Sequence, residues 1–232
     1  LQMVTPSALA ASPQDTYNWL KNLGTSGCPN AGSPGSPAVM GSDLMNKVAV
    51  RNGKVYVTAQ GHDHQVYIFT TSGTFVKKFG TQGSGDGQLS YPHGIAFDSQ
   101  GNIYIVDAGN NRVQKFDPNG NYISQFGTYG SGNGQFNMNT WTRWSGIAID
   151  SVGDIYVTDL GNSRVQKFDS NGNYSSQFSD NIPYPVDVVT DSSNNVYILN
   201  NAARVVKLDS SGNLLSEFSF PQGTNAGEIE VS

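Results

Sequence analysis

The same run of residues recurs four times along this chain. It begins as Val48-Ala49-Val50, Ile95-Ala96-Phe97-Asp98, Ile147-Ala148-Ile149-Asp150 and Val188-Val189-Thr190-Asp191. After a turn, each copy gives a second apolar run: Val55-Tyr56-Val57, Ile103-Tyr104-Ile105, Ile155-Tyr156-Val157 and Val196-Tyr197-Ile198. An internal repeat of this kind constrains the fold more tightly than any single motif. It also implies that most of the repeated residues are scaffold.

The second copy shows the pattern in full. Residues 95–98 read as strand a, Ser99-Gln100-Gly101-Asn102 as a turn, and 103–107 as strand b, rich in β-branched and aromatic residues. Ala108-Gly109-Asn110-Asn111 is a loop, 112–117 is strand c, Pro118-Asn119-Gly120-Asn121 is a turn, and 122–126 is strand d. Four short antiparallel strands make one twisted sheet, which cannot bury both faces alone. Radial stacking of such sheets buries them, so the fold class is all-β, a β-propeller of four-stranded blades. The third copy places Asp159, Arg164, Phe168, Gly172 and Phe178 where Asp107, Arg112, Phe116, Gly120 and Phe126 stand. The fourth has Asn200, Arg204, Leu208, Gly212 and Phe218, and the divergent first has Ala59, Gln65, Phe69, Gly73 and Phe79.

The copies cover residues 47–80, 94–127, 146–179 and 187–219 of a propeller region spanning 47–232. Ahead of it, residues 1–46 hold one outer-type strand at about 17–25 and a Pro/Gly/Ser-rich loop. At the other end, Gly227-Glu228-Ile229 resembles Gly87-Gln88-Leu89, a partial strand.

The blocks Gly94-Ile95-Ala96, Gly101-Asn102-Ile103-Tyr104 and Asp107-Ala108-Gly109-Asn110-Asn111-Arg112-Val113-Gln114-Lys115-Phe116 resemble the NHL-repeat family of β-propellers. Asp159-Leu160-Gly161-Asn162-Ser163-Arg164-Val165-Gln166-Lys167-Phe168 repeats the last block. The resemblance implies a propeller that usually has six blades. Four copies and two fragments leave three arrangements open: a piece of a larger propeller, a small ring closed by both ends, or terminal strands that pair with neighbouring copies. Two kinds of function follow. One is a non-catalytic binding or assembly module. The other is a zinc-dependent lyase or hydrolase, since some members cleave peptidyl-hydroxyglycines with channel histidines.

Composition narrows the partners. Net charge is −5 with only 13 Lys and Arg, so no basic stripe is present and nucleic acid is not an expected partner. No apolar stretch is long enough to span a membrane as a helix. The abundance of Ser, Thr, Asn, Gly and Tyr points to a secreted or extracellular protein, and the opening Leu1 fits a removed leader. Cys28 is the single cysteine and cannot form an intrachain disulfide. Asn173-Tyr174-Ser175 is the one glycosylation sequon.

Recurring polar pairs read as scaffold. Asp107 with Arg112, and Asp159 with Arg164, are clasps of the loop between strands b and c. Asp117-Pro118-Asn119-Gly120-Asn121 lacks the position-12 acid and flanking helices of a calcium loop, and reads as a turn. Non-recurring residues are the functional candidates. His62 and His64 fall in the first b–c loop and His93 in the following d–a loop, as polar loop residues and weak zinc candidates. The longest d–a connection carries Trp141, Arg143 and Trp144, suited to anchoring a protein or stacking on a glycan. Tyr91 and Tyr184 flank equivalent positions. The d–a and b–c loops share one end of the blades, so Tyr91, His93, Trp141, Arg143, Trp144 and Tyr184 define one candidate binding face. The favoured reading is a non-catalytic module for a protein partner or for self-association, with a glycan as the alternative ligand. No catalytic residue, resident metal or cofactor is assigned.

Overall fold

Alternating apolar residues along each copy build four antiparallel four-stranded sheets. A computed structural model of the protein describes residues 45–60, 64–138, 145–180, 182–221 and 229–230. Blade 1 comprises β1 (Met45–Arg51), β2 (Lys54–Ala59), β3 (Gln65–Thr70) and β4 (Phe75–Phe79). The two-residue strands β5 (Thr81–Gln82) and β6 (Gln88–Leu89) pair in parallel and connect to the next sheet. Blade 2 is β7 (Pro92–Phe97), β8 (Ile103–Asp107), β9 (Arg112–Phe116) and β10 (Tyr122–Phe126). A second parallel pair follows, β11 (Thr128–Tyr129) with β12 (Gln135–Phe136). Blade 3 is β13 (Ile147–Ile149), β14 (Ile155–Asp159), β15 (Arg164–Phe168) and β16 (Tyr174–Phe178). Blade 4 is β17 (Pro185–Thr190), β18 (Val196–Asn200), β19 (Arg204–Leu208) and β20 (Leu214–Ser219). The outer-type strand expected near 17–25 and Cys28 lie outside the described residues.

The first strands β1, β7, β13 and β17 adjoin in succession, which sets them innermost. Glycine permits the approach. The Gly94 amide donates to the Ser145 carbonyl at 3.0 Å, and a Cβ on Gly94 would sit 2.6 Å from that oxygen. A Cβ on Gly146 would likewise sit 2.5 Å from Asp187 Oδ1 of blade 4, while the Gly146 amide donates to Thr158 Oγ1 of its own blade at 2.8 Å. Blades 1 and 4 carry Lys47 and Asp187 at this position instead, and the two pair with each other at 3.0 Å. An ion pair thus ties the inner strand of the first blade to that of the fourth.

The core lies between successive blades. Tyr56, Val66 and Ile68 of blade 1 cluster with Ile95, Ile103 and Phe116 of blade 2. Val106 and Val113 of blade 2 meet Ile147, Ile155 and Val157 of blade 3. Tyr156 and Val165 of blade 3 meet Val188, Ile198 and Val206 of blade 4. Each fully buried large apolar side chain contributes roughly 1.5–3 kcal/mol. At the rim, the strand-d phenylalanine of one blade plugs the c–d turn of the next. A Cβ on Gly120, Gly172 or Gly212 would lie 2.6–2.7 Å from the ring of Phe79, Phe126 or Phe178. Gly172 also has φ +82°, which an L side chain rarely adopts. Gly172→Ala is therefore expected to cost about 2 kcal/mol through overpacking and strain. Gly53 has φ +69° and open space around it, so Gly53→Ala isolates the backbone part. Equal losses for the two variants in denaturant titrations would show that the plug contributes nothing.

Strand a of the second blade starts earlier than expected. β7 begins at Pro92, with a bulge between Pro92 and Ile95, so His93 belongs to the strand and not to a loop.

Candidate binding face

The recurring clasp holds the loop end of blades 2 and 3 rigid. Arg112 Nε donates to Asp107 Oδ2 at 2.7 Å, and Arg112 Nη2 donates to the carbonyls of Gly85 and Gln88 in the preceding connector. Asp107 also accepts from the Ser90 amide, Asn110 and Gln114. Arg164 and Asp159 repeat this, with Arg164 reaching Gly132 and Gln135. Both pairs are buried and fully partnered, so they serve the fold. The c–d turn is likewise structural: Asp117 Oδ1 accepts the amides of Asn119 and Asn121. Those local hydrogen bonds hold the exposed Asp117 carboxyl below the usual carboxylate range.

Tyr91 and Tyr184 stand out on this end. They are 42% and 55% exposed, and their φ angles are +50° and +51°. Left-handed backbone in a bulky residue costs about 1–3 kcal/mol and persists only where neighbours enforce it. For Tyr91 the neighbours are clear. Its amide donates to His64 Nδ1 at 2.8 Å, its carbonyl accepts the Ala108 amide, and its ring meets His64 edge-on at 4.9 Å. The Tyr184 carbonyl accepts the Asn201 amide at 3.0 Å. Both tyrosines thus lean on b–c connections, which puts d–a and b–c segments on one face.

The histidines differ from the expectation of exposed loop residues. His64 is buried, and its Nδ1 lone pair is taken by Tyr91. His93 is 1% exposed, with Nε2 3.2 Å from Gln60 Oε1 and Nδ1 enclosed without a partner. Burial pushes the His93 pKa down to about 4, so the ring is neutral near pH 7. His93 is therefore part of the wall behind the face and offers no surface to a partner. His62, Trp141, Arg143 and Trp144 lie outside the described residues. Among the described residues no three His, Cys, Asp or Glu side chains gather as metal donors. With the His64 Nδ1 lone pair engaged and His93 set into β7, the described residues do not fit the zinc centre that the family resemblance implies. Asn173 sits at an exposed c–d turn, where its Nδ2 donates to Asp169 Oδ2 at 2.9 Å.

Two features escape a reading by residue type, one on this face and one at the opposite end of the blades. The left-handed backbone of the tyrosines has no signature in residue type. The substitution of Arg51 where other copies hold Asp98, Asp150 and Asp191 was readable by aligning the repeats.

Residues 43–123 match a domain family described as a 6-bladed beta-propeller, and residues 145–168 match the NHL repeat. NHL repeat-containing protein 3 of Mus musculus is 29% identical over 126 residues, covering 50% of this chain and 35% of that protein. Protein brain tumor of Drosophila melanogaster is 36% identical over 70 residues, covering 29% of this chain and 6% of that protein. The chain thus spans about a third or less of the length of these curated relatives. Among solved structures, virginiamycin B lyase from Staphylococcus aureus superposes with a TM-score of 0.61 at 17% identity, over 83% of this chain and 60% of that one. A chain of the nidogen/laminin complex gives 0.59 at 17% identity, over 82% and 69%. At such identities the likeness concerns the fold alone.

Proposed function

We propose that this chain, a β-propeller of the NHL-repeat family, is a non-catalytic module that binds a protein partner on its d–a and b–c loop face, outside the cell. The observation that carries this reading is the pair Tyr91 and Tyr184, exposed and held in left-handed backbone on one face. Rigid, exposed aromatic side chains are favoured anchors of protein interfaces. The fold serves elsewhere in a chain of a protein–protein complex, that of nidogen and laminin. The zinc-lyase reading has less support, since His64 and His93 are enclosed in scaffold contacts.

The test is a partner recovered by cross-linking from the native source and then measured with purified protein. The double variant Tyr91→Ser/Tyr184→Ser is expected to lose about 2 kcal/mol of binding or more, roughly 30-fold. Unchanged affinity in the folded double variant overturns the reading. Recovery of the native protein only from cytosol overturns the extracellular placement.

A second reading, self-association, is favoured by β20. All six of its residues are exposed, including Leu214, Leu215 and Phe218 at 51–54%. Phe218 continues the series Phe79, Phe126 and Phe178, but among the described residues no glycine turn receives it. An exposed apolar edge strand is an association template. Sedimentation at rising concentration is expected to show oligomers that Phe218→Asp disperses. A monomer at every concentration overturns this second reading.

A further inference from the structure

At the other end of the blades, where a–b and c–d turns gather, a triad recurs. In blade 2, Tyr104 donates to Asp98, and Lys115 pairs with Asp98 at 3.3 Å while lying 5.0 Å from the Tyr104 ring centroid. In blade 4, Tyr197 donates to Asp191, with Lys207 beside both. In blade 3, Tyr156 donates to Asp150, while Lys167 lies over the Tyr156 ring and pairs with Asp154. Blade 1 breaks the rule. Its Tyr56 faces Arg51 in place of the aspartate, and Ile68 stands where the lysine would. The triad's lysine is gone, and a cation stands in place of the carboxylate.

Arg51 is left without a counter-ion among the described residues. Nη2 makes one long bond, 3.4 Å to the Ser99 carbonyl, and the guanidinium lies 5.6 Å from the Phe97 ring centroid. Nε is enclosed and has no partner. A partly desolvated guanidinium lacking a carboxylate is electrostatically unsatisfied. The scaffold does not require it, because the Asn52-Gly53 turn closes this hairpin with two left-handed residues and no aspartate.

Arg51 lines a cavity of about 490 Å³. That falls within the range of about 300–1,000 Å³ usual for small-ligand sites. Gln100, Ser170 and Asn171 supply hydroxyl and amide groups along the wall. Asp98 and Asp150 also line it, but their oxygens are taken up by Asn102, Tyr104 and Lys115, and by Val152, Asp154 and Tyr156. Lys115 lines it too, paired with Asp98, so Arg51 is the lining cation without a carboxylate partner among the described residues, with the neutral groups of Gln100, Ser170 and Asn171 nearby. We infer that this cavity binds a small polyhydroxy carboxylate, a sugar acid, with its carboxylate on the Arg51 Nη atoms and its hydroxyls on the Ser, Asn and Gln groups. The site lies away from the tyrosine face, so it stands or falls independently of the partner-binding reading.

The test is calorimetric titration of the purified chain with glucuronate and, separately, with glucose. Glucuronate is expected to bind and glucose to bind at least 10-fold more weakly. Arg51→Gln should weaken glucuronate at least 10-fold. Arg51→Asp reverses the charge at the same place and should abolish binding. No heat with glucuronate, equal binding of glucose, or unchanged binding by folded Arg51→Asp each overturns the inference.

Discussion

Arg112→Ala is expected to lower folding stability by about 3–5 kcal/mol, the range for removing one partner of a buried ion pair. The Asp107 carboxylate it leaves behind is fully buried, in a setting where an unpaired charge is costly. The same change also frees the carbonyls of Gly85 and Gln88, so the connector into blade 2 loses its anchor. Asp107→Ala/Arg112→Ala should cost less than the two single changes added together, because no orphan charge remains. Blade 4 contains the control. Arg204 pairs with Glu217, which is nearly half exposed, and Arg204→Ala should cost no more than about 1 kcal/mol. Urea titrations of the four variants check this. A loss for Arg112→Ala no larger than that for Arg204→Ala would show that the clasp is ornamental.

Acid should weaken the fold through His93 well before the carboxylates respond. The unfolded chain takes up this proton near pH 6.5, whereas burial holds the folded ring neutral down to about 4. Between those values the unfolded chain binds more protons. Stability is therefore full above pH 6.5 and falls as the pH drops toward 4, by about 3 kcal/mol at 1.36 kcal/mol per unit. The carboxylates of Asp98, Asp117, Asp169, Asp191 and Asp209 are held below their usual range, so their contributions fade only at lower pH. His93→Asn, which installs the residue that directly precedes the first copy (Asn46), removes the titrating group. Denaturation midpoints at pH 7 and pH 4.5 should diverge for the parent chain and draw together for the variant. An equal acid shift in both would remove His93 from the account.

Strand periodicity makes most of the blade legible from the residues alone. Residues 103–107 and 122–126 are strands as read, because alternation and flanking turn residues define them. The start of β7 was not legible, because Pro92-His93-Gly94 shows no alternation. The strand persists there through a bulge and the Gly94 contact with Ser145 of the neighbouring blade. The Asp107–Arg112 clasp was legible from recurrence, and its geometry agrees. The tyrosines were legible as aromatic neighbours only. Their backbone is imposed across the fold, by His64 on Tyr91, and no local pattern encodes it. The polarity of His93 suggested exposure, yet packing against Gln60 encloses it.

The contact of Phe79 with Gly120, repeated as Phe126 with Gly172 and Phe178 with Gly212, has a direction. A blade carries a socket at its head and a plug at its tail, like a monomer with two unlike reactive ends. A blade duplicated whole and inserted at one of these three joints would meet a plug on one side and a socket on the other. Such an array lengthens by copying, with no redesign of its joints. Nothing in the joint counts the units; their number is limited by curvature about the axis, where Gly94 and Gly146 set how tightly the inner strands converge.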